Sequence, residues 1–410
     1  MRLASIFQSI TGGSDVRFQA YDGSTAGPSA ASVSIDIKTP EALSYLASAP
    51  GELGLARAYV TGHLEILGDV HAGLSRLSEF SLRELPWLQR VELLRFLGRI
   101  RLSHKVSPPP QETRLRGLRH SKARDSQAIA HHYDVSNQFY AWVLGPSMAY
   151  TCAVYPTAHS TLEEAQFAKH DLVARKLGLK PGMRLLDVGC GWGGMVMHAA
   201  REYGVRAIGV TLSRNQAEWA QKAIVEAGLS DLAEVRHLDY RDVRETGFDA
   251  VSSIGLTEHI GKAKLPAYFD SLYRKLKPGG RLLNHCITRP DNKQRALSGP
   301  FIDRYVFPDG ELVGPGHLVS LMHDTGFEVR HEENIREHYA LTLAAWSKNL
   351  DTHWEEAVEE VGEARARVWR LYLAASRLGF ERNNIQLHQV LGVRLDGTTS
   401  HMPLRPDWLS

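Results

Sequence analysis

The spacing of apolar and polar positions changes character along the chain. Val16-Arg17-Phe18-Gln19-Ala20-Tyr21 and Ser32-Val33-Ser34-Ile35-Asp36-Ile37 alternate as half-buried strands do, with the turn signals Asp22-Gly23 and Gly27-Pro28 between them. Helical spacing follows from Leu53 to Val60, and Leu3, Ile6, Phe7 and Ile10 mark one face of an N-terminal helix. Residues 1–100 therefore read as a small mixed α+β domain. Further on, Met183 to Val188, Arg206 to Thr211, Ala233 to Leu238, Phe248 to Ile254 and Gly280 to Ile287 are strand candidates separated by helical segments. Such alternation predicts an α/β fold, a Rossmann-like doubly wound parallel sheet with helices on both faces and ligands at the carboxyl ends of its strands. The segment from Tyr339 to Phe380, with Leu, Ala, Trp and Tyr at helical spacing, reads as core and pocket wall.

Composition narrows this picture. A chain of 410 residues, 43% hydrophobic, can bury a large core and divides naturally into two domains. No apolar run approaches the ~20 residues of a membrane span, and no signal-peptide core is evident, so a cytoplasmic location is expected. The three cysteines, Cys152, Cys190 and Cys286, have no CxxC spacing and suggest neither a disulfide framework nor a metal cluster. A net charge of +2 gives no case for nucleic acid. One basic run stands out: Arg95, Arg99, Arg101, Lys105, Arg114, Arg116, Arg119, Lys122 and Arg124 surround Pro108-Pro109-Pro110. It predicts a linker over 101–125, ahead of a catalytic domain at 126–410. The linker is either a solvated connector or a contact to anionic lipid, where each basic residue contributes about 1 kcal/mol.

The strongest chemical signal is Leu185-Leu186-Asp187-Val188-Gly189-Cys190-Gly191-Trp192-Gly193-Gly194, a strand entering a glycine-rich turn. Gly189, Gly191 and Gly194 also satisfy GxGxxG, which alone admits a nicotinamide oxidoreductase. Asp187 separates the readings: a carboxylate at the strand end can hold the ammonium of a methionine moiety but would repel a pyrophosphate. S-adenosylmethionine is therefore the expected cofactor. Thr211, Ser213 and Gln216 offer hydrogen-bonding groups for ribose, with Ser213 equally suited to cap a helix. Asp239 offers an acceptor for an adenine amino group, and Tyr240 an aromatic face beside it.

With these motifs in order, the chain resembles the cyclopropane fatty acid synthase family, which includes the mycolic acid cyclopropane synthases, most clearly from about 125 to 395. The segments that carry the resemblance are His132-Tyr133-Asp134-Val135-Ser136-Asn137, Met148-Ala149-Tyr150-Thr151-Cys152-Ala153, the Asp187 to Gly194 turn, Glu258-His259-Ile260-Gly261, Phe301-Ile302-Asp303-Arg304-Tyr305-Val306-Phe307-Pro308-Asp309-Gly310, and Ile385-Gln386-Leu387.

The resemblance implies methylation of an acyl-chain alkene, with a bound bicarbonate removing a proton from the resulting carbocation. It assigns Cys152, Glu258, His285 and Tyr339 to the surroundings of that anion, and Tyr150 and Thr151 to the closure over the cofactor. Each also has a purely structural reading: a small buried hydrophobe for Cys152, a satisfied core histidine for His285, packing for Tyr339. Glu258 is less easily dismissed, because a carboxylate at the end of an apolar strand is costly unless paired or used. Leu256-Thr257 stands where many cyclopropane synthases have an aromatic, and Ser376 where they have a cysteine. The first departure resembles the branch that converts oleoyl chains to a 10-methylene product, which a flavin-dependent reductase then saturates. Loss of a proton directly from the transferred methyl closes a ring, whereas a prior hydride shift leaves the methylene. The substrate implied is unsaturated phospholipid, reached at the inner face of the membrane by peripheral association; a homodimer is left open, and no nucleic acid or metal is expected. A non-catalytic lipid-binding module is the remaining alternative. The N-terminal apolar face can dock on the membrane or pack on the small domain, and packing is favoured.

Overall fold

The computed structural model describes residues 2–10, 15–78, 87, 91, 95, 98, 106–113, 117, 119–122, 124–125, 135–294 and 297–408. Of the residues singled out above, Arg99, Arg101, Lys105, Arg114, Arg116, His132, Tyr133 and Asp134 lie outside this set. The chain forms two compact units that are not contiguous in sequence: residues 1–114, 299–306 and 353–378 in one, and 115–298, 307–352 and 379–410 in the other.

The first unit holds a four-stranded sheet in the order β2-β1-β3-β4. Its strands are β1 (Val16–Ala20), β2 (Thr25–Ala26), β3 (Val33–Ile37) and β4 (Leu64–Leu67). β1 and β3 run parallel in direct register, Phe18 opposite Ile35, and both bury every second residue, as their sequence alternation predicts. The Leu3–Ile10 helix uses its apolar face for packing: Leu3 and Ala4 are buried, and the Phe7 ring stacks on Phe18 at 6.2 Å. Arg367 joins the unit's helices to its sheet, donating to the Tyr59 carbonyl at 3.2 Å and pairing with Glu65 at 2.5 Å.

The second unit is built on a seven-stranded sheet in the order β10-β11-β9-β8-β5-β6-β7. The members are β5 (Arg184–Val188), β6 (Arg206–Thr211), β7 (Ala233–His237), β8 (Phe248–Ile254), β9 (Leu276–Thr288), β10 (Glu328–Asn334) and β11 (Gln386–Val393). β5 to β9 are parallel, as expected, but β11 pairs antiparallel with β9 and β10 antiparallel with β11, so the sheet is mixed and not wholly parallel. Strand-then-helix alternation announces only the parallel members. β10 reads Glu-Val-Arg-His-Glu-Glu-Asn at the sheet edge, with no residue fully buried, and carries no apolar signal.

Two apolar clusters are centred on the sheet. One joins the Leu162–Leu177, Gly194–Tyr203 and Arg214–Glu226 helices to the strands, and the other the Leu265–Lys275 and Pro315–Thr325 helices. A reciprocal capping box starts the Leu162–Leu177 helix: Thr161 Oγ1 accepts from the Glu164 N–H, and Glu164 accepts from the Thr161 N–H at 2.8 Å. After β5 the chain steps outward to β6 and β7, then returns to the opposite side of β5 as β8. The carboxyl ends of β5 and β8 thus flank the point where strand order reverses, the place where open α/β sheets bind ligands. No helix among the described residues is long and apolar enough to cross a membrane.

Candidate active site

Two adjoining cavities open at that reversal. Gly189, Gly191, Gln216 and Gly255 line both. The turn after β5 is pinned to β6, since the N–H groups of Gly189 and Cys190 donate to the Val210 carbonyl at 2.9 and 3.0 Å. Gly191 has a φ of 53°, and a Cβ there would meet no atom within 4 Å. Glycine at this position meets a backbone demand and leaves the cavity floor open.

Asp187 and the strap residues Tyr150 and Thr151 line the first cavity. Asp187 accepts from Ser252 Oγ at 2.6 Å, and burial pushes its carboxyl up to about 6 against the pull of that bond and of Lys169. Tyr150 belongs to an aromatic wall, with ring centroids 5.8 Å from Tyr140 and 5.3 Å from Trp346. Tyr140 in turn lies 4.7 Å from Trp192, whose Nε1–H donates to Asn137 Oδ1 at 2.9 Å.

Thr211 and Tyr240 line the second cavity with Leu238, Leu256, His259 and Ile260. Thr211 Oγ1 donates to Gln216 Oε1 at 2.8 Å, so the pair is held ready beside the opening. Ser213 is the N-cap of the Arg214–Glu226 helix, its Oγ accepting from the Gln216 N–H, and it lines neither cavity. Asp239 is likewise set back from both: it accepts from the Arg241 N–H at 2.9 Å and pairs with the Arg241 guanidinium. Burial raises the Tyr240 hydroxyl to about 12, and the ring stands edge-on to Tyr268 at 5.2 Å.

The four residues expected around an anion are all buried. Glu258 sits in the short turn after β8; its Oε1 accepts from the Ile287 N–H at 2.7 Å, and its Oε2 has no hydrogen-bond partner among the described residues. Burial raises this carboxyl to about 7. His285, on β9, lies opposite Ile254 of β8 and Gln389 of β11, and its carbonyl accepts from the N–H of Gly255 in the cavity lining. Its Nδ1 lies 3.1 Å from Gln389 Nε2, whereas Nε2 has no partner among the described residues. Lys176 Nζ donates to Gln389 Oε1 at 2.7 Å, which fixes the amide so that Nε2 donates to the imidazole. Neutral His285 must then carry its proton on Nε2, as an unused donor. The Cys152 thiol is raised by burial and lies 3.2 Å from the Ala153 carbonyl; the Ala153 N–H donates to Thr342 on the Arg336–Thr352 helix at 3.0 Å. Tyr339, on that same helix, packs against Phe380 at 4.4 Å.

The Leu162–Leu177 helix supplies side chains that sequence reasoning missed. Gln166 Nε2 donates to the carbonyls of Ala149 and Thr151 at 3.2 and 2.9 Å, and Lys169 Nζ donates to Thr151 Oγ1 at 3.0 Å. Lys169 and His170 both line the first cavity. Their only signal was a Gln166/Lys169 spacing on the face that also carries Ala165 and Val173.

A family model for mycolic acid cyclopropane synthetase matches residues 120–390. The chain is 58% identical to a probable fatty acid methyltransferase of Mycobacterium tuberculosis, over 97% of this chain and 96% of that one. It is 36% identical to the cyclopropane-fatty-acyl-phospholipid synthase of Escherichia coli, over 63% of this chain and 66% of the other. The cyclopropane synthase MmaA2 from Mycobacterium tuberculosis aligns with a TM-score of 0.62 at 33% identity, over 67% of this chain and 99% of that one. The mycolic acid cyclopropane synthase CmaA1, complexed with SAH and CTAB, gives a TM-score of 0.62 at 33% identity, over 65% and 98%. With a matching fold and relatives of this identity, the chain belongs to the mycolic acid cyclopropane synthetase family.

Proposed function

We propose that this protein adds a one-carbon unit to the cis double bond of oleoyl-type chains in membrane phospholipid and leaves a 10-methylene product. The activity class is S-adenosylmethionine-dependent lipid methylation; the phospholipid acceptor, the methylene outcome and the residue roles are the proposal. The observation that carries it is that Glu258 Oε2 and His285 Nε2 are both buried without a hydrogen-bond partner among the described residues, while the His285 backbone carbonyl accepts from the N–H of Gly255 in the cavity lining. Leaving such an atom unmatched costs about 1–3 kcal/mol, so each argues for a ligand that would satisfy it.

The first cavity fits the amino-acid end of S-adenosylmethionine: Asp187 offers a charge to the ammonium, and the open side of Gly191 leaves room. The second fits the nucleoside, with Thr211 and Gln216 for the ribose and the Tyr240 and Leu256 side chains for the base. Asp239 contributes there through Arg241 and the placement of Tyr240, and Ser213 through the helix that carries Gln216. When bound, the cofactor supplies an electrophilic methyl group. Tyr150 and Trp192, which line the first cavity and are backed by Tyr140 and Trp346, would exclude water from the transfer.

An oxyanion of bicarbonate type would find a ready donor in the His285 Nε2–H and a second polar group in Glu258, whose carboxyl burial raises to about 7. When bound, that anion supplies a base. Cys152 and Tyr339 complete its apolar surroundings, and the buried Thr257, which donates to Asn284 Oδ1 at 2.6 Å, sets the backbone from which Glu258 projects. Peripheral docking on the inner membrane face brings the acyl chain to the site, and a flavin-dependent reductase is the partner that a methylene product calls for.

The test is product analysis. Oleoyl-phospholipid vesicles incubated with the protein and methyl-labelled S-adenosylmethionine should yield an acyl chain one CH₂ heavier that ozone cleaves at an exocyclic alkene. A heavier chain that resists ozone is a cyclopropane and overturns the methylene assignment.

A further inference from the structure

Lys169 is an ammonium in a place where ammonium groups are rare. It is 1% exposed, on the face of the Leu162–Leu177 helix turned into the first cavity. Its two hydrogen-bond partners are neutral acceptors, Thr151 Oγ1 at 3.0 Å and His170 Nε2 at 2.9 Å. The second contact requires His170 neutral with its proton on Nδ1, in keeping with the downward push of burial on that imidazole. No carboxylate of the described residues forms an ion pair with Lys169, and a buried charge without a counter-charge is costly. Asp187 is near enough to act on it electrostatically, yet makes its own hydrogen bond to Ser252.

The same cavity therefore presents one buried acid and one buried base to whatever enters. An α-amino acid carries its ammonium and its carboxylate on one carbon, so a site of this kind reads both charges together. We propose that Lys169 binds the carboxylate of the methionine moiety while Asp187 binds its ammonium, making the pair a recognition site for the zwitterionic end of the cofactor. This rests on the cofactor assignment above. It also gives the strap a reason to close over a loaded site: Lys169 holds Thr151, so the side chain that would meet the carboxylate is the one that fastens the lid residue.

Burial lowers the Lys169 ammonium to about 8, and a bound carboxylate would raise it again. The titratable groups that act on it electrostatically are Cys152 in the strap, Asp187 at the end of β5, His170 on its own helix, His198 on the Gly194–Tyr203 helix and His285 on β9. All three histidines are held neutral by burial, and the Cys152 thiol is raised, so near pH 8 the change of charge belongs to Lys169.

Calorimetric binding of two ligands to the full chain tests this. One is S-adenosylhomocysteine; the other is its decarboxylated analogue, which keeps the nucleoside, the thioether and the ammonium. Wild-type protein should bind the first about 10–100-fold more tightly, the range expected for a charge-assisted contact. Lys169→Met should bind both with nearly equal affinity, the loss falling on the carboxylate-bearing ligand alone. Equal affinity of the wild type for the two ligands overturns the proposal, and needs no variant to fold. So does a Lys169→Met protein that loses the same factor for both, which is a structural effect, or that binds both normally while turnover falls, which places Lys169 at the neighbouring anion. Failure of the wild type to bind S-adenosylhomocysteine at all would instead sink the cofactor assignment.

Discussion

Glu258 is costly to the folded protein where it stands. Its carboxyl titrates at about 7 in place of 4.5, because burial opposes its charge more than the Ile287 N–H favours it. A raised carboxyl holds its proton more tightly folded than unfolded. Its contribution is therefore full below pH 4.5 and is lost as pH rises through 7, a difference on the order of 3 kcal/mol. Glu258→Gln removes the ionisation while keeping the shape. The variant should lose at least about 100-fold in turnover, as removal of a positioned acid–base group does, and bind S-adenosylhomocysteine within about twofold of wild type, a difference below 1 kcal/mol. Melting followed from pH 5 to pH 8 should fall further in the wild type than in the variant. Parallel melting curves with normal turnover would remove Glu258 from the site. Asp187 and Glu258 were legible in sequence for a shared reason: each is an acid set into an apolar run, where only a partner or a function retains it. Lys169 was not, because a lysine within a helical run gives no sign of burial, and only the packing turns it inward.

At the scale of elements, β9 and β11 act together on His285. Their antiparallel register sets Gln389 opposite His285, and Lys176, from the Leu162–Leu177 helix, fixes the Gln389 amide while pairing with Glu333 of β10. Three elements thus choose which imidazole nitrogen bears the proton. Gln389→Leu should leave S-adenosylhomocysteine binding unchanged and lower turnover about tenfold or more, since an outer partner of a site histidine typically carries that much. Lys176 would keep Glu333, so the stability loss should stay within about 1–3 kcal/mol. Unchanged turnover with the same stability loss would make the chain of contacts structural only. None of this was readable in advance. The five parallel strands announce themselves by apolar runs between helices, whereas β10 is polar at a sheet edge and the β9–β11 pairing joins residues about 100 positions apart. Ser213 shows the opposite case, where a local signal decided correctly: its cap to Gln216 follows from residue type and spacing alone.

Across the whole molecule, the sheet that carries the site could be read from the sequence. What could not be read is that residues 299–306 and 353–378 cluster with the N-terminal residues, because no local feature of a helix says which unit it will join. Among the basic residues from 95 to 124, Arg119 and Arg124 pair with Asp309 and Lys122 with Asp242, so part of that run serves the second unit itself. The proposed acceptor is an acyl-chain alkene in a phospholipid. Its most direct test is transfer of labelled methyl from S-adenosylmethionine to vesicles of oleoyl phospholipid and, in parallel, to vesicles of the saturated stearoyl phospholipid. Label is expected in the acyl chains of the first and none in the second; label in neither, or equally in both, would rule out an alkene acceptor.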